Sequence, residues 1–158
     1  MTFNHHSANN NHHIHSSQAK IMNEELVTPD NASKALLQSI FDEALMDVSI
    51  DDDGDILIQE EIKCYVFLSE NKDRVRLLTL FGIAETATRA QCLECVNAIN
   101  SEYIMVKAYI ASEKTLAMEY DIYLKGGVPK KTIALTVKRF CTIPRRAVNE
   151  EYARDVVE

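Results

Sequence analysis

Cys92 and Cys95 form a C-x-x-C pair, the first spacing in the chain that suggests chemistry. Such a pair works as a dithiol when it opens a helix directly after a strand, where the helix dipole lowers a thiol pKa. Here Thr88 and Gln91 have the spacing of a capping box, which places Cys92 a full turn inside the helix. Both thiols then fall on the apolar stripe, and small core cysteines are the better reading. A zinc site needs further ligands, and Cys64 and Cys141 come only as singles. The histidines are His5, His6, His12, His13 and His15. Neutral imidazoles suit zinc, nickel or copper, but this spacing lacks the regular pairs of a structural site, and a solvated polar head is the plainer reading.

Other chemistries fail on register or on missing partners. Asp51, Asp53 and Asp55 alternate like calcium ligands, yet with Asp51 first the sixth position is Ile56 and the twelfth Ile62, where a calcium loop needs Gly and Glu. Asp53-Gly54 between two apolar runs is instead a hairpin signal. With every histidine in the head, a Ser-His or Cys-His nucleophile has no base in the remainder of the chain. Gly126-Gly127 precedes a helix but lacks the lysine-serine ending of a phosphate loop. Glu119 and Asp121 alternate on the outer side of a strand and read as solvated rather than as an acid–base pair. No catalytic residue, resident metal or cofactor is expected, and the role suggested is binding.

The elements that would carry these residues centre on positions 88–124. From Arg89 the apolar residues Cys92, Cys95, Val96, Ile99 and Tyr103 recur at helical spacing. After Tyr103 the period becomes two. Val106, Ala108 and Ile110 oppose Met105, Lys107 and Tyr109; after a turn at 112–114, Leu116, Met118, Tyr120, Ile122 and Leu124 oppose Ala117, Glu119, Asp121 and Tyr123. Upstream, a helix is predicted from Thr28 to about Leu45, with Pro29 at its first position. A hairpin follows around Asp53-Gly54, then either a bend at residues 59–61 or a new strand. Residues 74–83 form a long strand, apolar on both faces and so expected to be central and covered on both sides. A last helix starts at Val128-Pro129, and Pro144 should break or kink it. The expected fold is α+β, an antiparallel β-sheet flanked by helices in the order α-β-β-β-α-β-β-α. Its segments are a disordered His/Asn-rich head at 1–27, a folded domain at 28–144 and a charged helical extension at 145–158.

The chain has 158 residues, enough for one domain with its own core, and a net charge of −7. That balance argues against nucleic acid or an anionic membrane surface as the main partner. No apolar run reaches the roughly 18 residues of a membrane helix. The first twenty residues lack the hydrophobic core of a secretory signal, so a cytosolic location is expected.

Two surface features point to partners. The cations Lys130, Lys131, Lys138, Arg139, Arg145 and Arg146 concentrate near the last helix and would suit an acidic partner, although a solvated helix face explains them as well. Tyr65, Phe67, Tyr109 and Tyr123 fall on the outer side of the sheet. If the helices cover one face only, these four leave an apolar patch that a monomer does not normally expose, and they are the partner-binding residues expected.

The run FGIAETATRAQCLECVNAINSEYIMVKAYIASEKTLAMEYDIYLKGGV resembles the YbjN family, described as bacterial sensory transduction regulators. The likeness lies in a strand ending at Phe81, Asn97-Ala98-Ile99-Asn100, the V-K-A-Y-I strand, the hairpin and Gly126-Gly127; DGDILI at 53–58 resembles the family's opening. It covers roughly residues 30–145. The resemblance implies a type III secretion chaperone-like fold, often dimeric, and a protein-binding regulatory module. The expectation is therefore a non-catalytic regulatory or chaperone-like adaptor, a homodimer in the cytosol. The alternative is a thiol- or metal-binding protein using Cys92, Cys95 and the His-rich head.

Overall fold

A computed structural model describes residues 25–158, so the five histidines and the head up to residue 24 lie outside the described residues. Ser33 starts the first helix, because its hydroxyl accepts the Leu36 N–H at 3.1 Å and satisfies one free donor. Helix α1 (Lys34–Glu43) thus begins later than the Thr28-Pro29 pair predicts. Those residues form a turn closed by the Ala32 N–H on the Thr28 carbonyl, where proline serves equally well. Glu25 to Val27, expected in the head, also differ. Leu26–Val27 is strand β1, paired antiparallel with a two-residue strand near 128.

Four strands follow: β2 (Val48–Ile50), β3 (Ile56–Gln59), β4 (Lys63–Leu68) and β5 (Arg74–Gly82). The β2–β3 loop is the hairpin that Asp53-Gly54 signals. Asp51 Oδ1 accepts the N–H of Asp53 and of Asp55, and Gly54 alone takes a positive φ, +79°. The acids at 51–55 therefore shape a turn. Glu60-Glu61 makes the bend, and β4 is a separate strand after it.

Helix α2 (Arg89–Glu102) has the full capping box: Thr88 Oγ1 accepts the Gln91 N–H and Gln91 Oε1 accepts the Thr88 N–H. It buries Cys92, Cys95 and Ile99. Then come β6 (Lys107–Ser112), β7 (Thr115–Tyr123) and β8 (Val128–Pro129), followed by α3 (Lys130–Ala147). Pro144 does not end α3, which runs to Ala147. The proline lies in the last turn with its ring buried, and the helix runs on despite the one backbone bond forgone. Residues 145–158 are likewise no detached extension. Ala147, Ala153 and Val156 are buried, Val156 accepts the Ala84 N–H, and Val157 bridges to Ile83.

The six long-range strands form one antiparallel sheet in the order β2-β3-β4-β5-β7-β6, which places β5 centrally. Helices α1 and α3 pack on Ile56, Ile58, Cys64, Val66, Val75 and Leu77. Helix α2 and the C-terminal segment pack on Ala108, Leu116 and Met118. All these sheet residues sit on one face. The fold class is α+β, an antiparallel sheet flanked by helices, as expected. The double cover expected for β5 is absent: no described helix packs on the opposite face, and Leu80 there is 46% exposed.

Candidate functional site

Registers between the strands assemble the uncovered face row by row. One row crosses all six strands as Ser49, Leu57, Tyr65, Leu78, Glu119 and Lys107. The next places Phe67 beside Arg76 and Arg76 beside Asp121. Period-two alternation brings Tyr65, Phe67, Tyr109 and Tyr123 to this one face, as the sequence predicts. Tyr65 and Phe67 stack with ring centroids 6.4 Å apart. Tyr109 stands three strands away on β6, and Tyr123 lies at the end of β7 opposite Arg74, 64% exposed.

Between these aromatics runs a polar cluster that sequence reasoning missed. Glu119, expected to be solvated, is only 6% exposed. Its carboxylate accepts the Lys107 ammonium and the Tyr109 hydroxyl, each at 2.9 Å, and Arg76 Nε lies 4.0 Å away. Burial by itself would raise the Glu119 pKa. The bonds from Lys107 and Tyr109 and the charge of Arg76 outweigh it, and the carboxyl is held below its usual range. Burial, then the bond to Glu119, pushes the Tyr109 phenol up. Asp121 accepts Arg76 Nε at 3.3 Å and Arg74 Nη1 at 3.4 Å. The ordinary signal for this cluster is the facing of unlike charges across β7, Arg76 of β5 against Asp121 and Lys107 of β6 against Glu119, readable only once the three strands are registered.

Phe67, Leu78, Arg74, Arg76, Tyr109 and Glu119 line an open groove of about 350 Å³ over β5. Tyr65 and Tyr123 are not among the lining residues, although Tyr65 stacks on Phe67. The arrangement has apolar walls, committed carboxylates and guanidinium groups at the rim.

The thiols are placed differently. Cys64, Cys92, Cys95 and Cys141 are all buried and free. Desolvation, reinforced by Cys92, pushes Cys95 up to about 11, far from a reactive thiolate. Among the described residues no group of three His, Cys, Asp or Glu side chains is placed to hold a metal ion, and no helix is long and apolar enough to cross a membrane. On α3, Lys130 pairs with Glu25 and Lys138 donates to the Ala44 carbonyl, while Lys131, Arg139, Arg145 and Arg146 are exposed.

Comparison with known proteins agrees with this architecture. The model of the YbjN family, described as "Putative bacterial sensory transduction regulator", matches residues 33–150. The chain is similar in structure to YbjN from E. coli, described as "a putative transcription regulator", with a TM-score of 0.72 at 14% identity; the alignment covers 85% of this chain and 99% of that one. It is also similar to the Yersinia pestis type III secretion chaperone SycH, solved in complex with a stable fragment of YscM2. There the TM-score is 0.49 at 8% identity, over 73% of this chain and 96% of that one. No curated protein matches the sequence.

Proposed function

The chain belongs to the YbjN family, and from that premise we propose that it is a non-catalytic, protein-binding regulatory or chaperone-like adaptor. Its docking surface is the uncovered sheet face bearing Tyr65, Phe67, Tyr109 and Tyr123. The observation that carries this reading is the one-sided sheet: all described helices pack on one face, while the other presents stacked aromatics, Leu78 and Leu80 beside a satisfied ionic cluster. An apolar patch of this kind, rimmed by polar groups, is what protein–protein contact surfaces present. The occupant is a partner polypeptide or a second copy of the chain, met in the cytosol.

The test combines size with capture. Light scattering reads twice the monomer mass if a second copy fills the face, and the Tyr65→Ser, Phe67→Ser double variant returns it to the monomer. A partner polypeptide instead gives a covalent adduct on chemical cross-linking in the host, lost in the same variant. A strict monomer that captures no polypeptide overturns the reading. Capture that is unchanged in the double variant does so as well.

A further inference from the structure

We propose that the groove over β5 seats a carboxylate presented beside an apolar side chain, as in an acidic and aromatic segment of a partner polypeptide. This rests on the sheet face being the docking surface and adds the chemistry of what docks there.

The donor inventory points to an anion. A guanidinium has five N–H groups, and Arg76 commits only Nε to Asp121 while Arg74 commits only Nη1. Their other N–H groups make no bond among the described residues and border the groove. The two acids are already engaged. Glu119 is held by Lys107 and Tyr109, and Asp121 by both arginines. Counting Arg74, Arg76 and Lys107 against Glu119 and Asp121 leaves one excess cation in the cluster at this groove, in a chain whose net charge is −7. A cationic segment would meet three positive charges there, whereas a carboxylate gains the bidentate geometry that arginine favours.

The walls decide what carries the carboxylate. Phe67, Leu78 and Tyr109 offer apolar surface directly beside the guanidinium groups, and about 350 Å³ is room for a side chain or two rather than for a folded element. The exposed cations of α3 form the competing surface. They line a convex helix on which Leu135 is the one exposed large apolar residue, so they attract an acid without seating its apolar companion.

The experiment titrates the ¹⁵N-labelled full chain with acetyl-Asp-Phe-Asp-Phe-amide and with acetyl-Asn-Phe-Asn-Phe-amide, following backbone and arginine Nε resonances. The expected result is saturable movement of the Arg76 side chain and of the Phe67 and Leu78 amides, with the asparagine peptide binding at least tenfold more weakly. Arg76→Gln should weaken the acidic peptide several-fold, and Arg74→Gln provides the same reading if the first variant folds poorly. Equal binding of the two peptides in the groove removes the carboxylate while leaving the sheet face as a docking surface. Movement confined to Lys131 and Arg139 moves the acid site to α3 and overturns the proposal. No saturable movement overturns it too, and the sheet face itself then stands or falls on the cross-linking and light-scattering outcomes.

Discussion

The side chain of Asn100 bonds both backbone groups of Ala108: Nδ2 donates to the carbonyl at 3.0 Å, and Oδ1 accepts the N–H at 2.8 Å. Ala108 lies in β6, the edge strand of the sheet. A free edge normally exposes a ladder of donors and acceptors to any passing strand. One asparagine in the last turns of α2 occupies that position, ties the helix to the strand and blocks the edge near its start. Asn100→Ala should therefore cost about 1–3 kcal/mol, since two partly buried backbone groups lose their partners. Asn100→Asp should also destabilise, because it loses the donor and turns a carboxylate towards a carbonyl. Urea unfolding measures both, and midpoints unchanged from the parent would show the pair to be inert.

Glu119 predicts a pH dependence whose sign follows from its lowered pKa. In the unfolded chain the carboxyl protonates near its ordinary value, about 4.3. In the folded protein it stays ionised to lower pH, so its contribution is fully present above the ordinary value and is lost as pH falls through the folded value. Glu119→Gln should be less stable than the parent by about 1–3 kcal/mol at pH 7, the usual scale for losing a hydrogen bond to a charged group. That gap should shrink as unfolding is measured towards pH 3. A gap that widens with acid contradicts the assignment.

Gly127 has φ +86°, and a Cβ built there would lie 2.9 Å from Leu26 Cδ1. Gly127→Ala is expected to lower stability by about 1–2 kcal/mol through backbone strain, with Leu26 displaced from the β1–β8 pair. Thermal unfolding gives the total, and amide exchange at Val27 and Val128 should rise. Gly54→Ala is the comparison: its φ is also positive, but nothing lies within 4 Å of the added carbon, so only the strain remains.

Buried thiols predict silence. In native buffer at pH 8 none of the four cysteines should react with a thiol reagent on the timescale of free cysteine, and all four should react in denaturant. Fast native reaction of Cys92 or Cys95 would restore the thiol reading that their spacing first suggests.

Local signals in the sequence translated directly into structure. Thr88 and Gln91 cap α2, the stripe of Cys92, Cys95 and Ile99 is buried, and alternation sends the four aromatics to one face. What failed was competition between equally good local signals. Pro29 suits a turn as well as a helix start, and Ser33 offers the better cap. Pro144 reads as a break, yet its ring is buried and α3 runs on to Ala147. The Glu119 cluster stayed hidden for a different reason: Lys107, Tyr109 and Glu119 meet only through the register of β6 against β7, and the alternation of one strand does not reveal which neighbour faces it. Burial of that face was equally illegible, because apolar residues on both sides of β5 are compatible with two covers or with one cover and a partner.

The central claim is that the uncovered sheet face, and not the helical side, is where another polypeptide sits. Photo-cross-linking in the host tests it, with p-benzoylphenylalanine placed in turn at Tyr65, Tyr123 and Leu135; Tyr123 and Leu135 are comparably exposed, at 64% and 56%. The account predicts a discrete polypeptide adduct from positions 65 and 123 and none from 135. Adducts from 135 with positions 65 and 123 silent would contradict it.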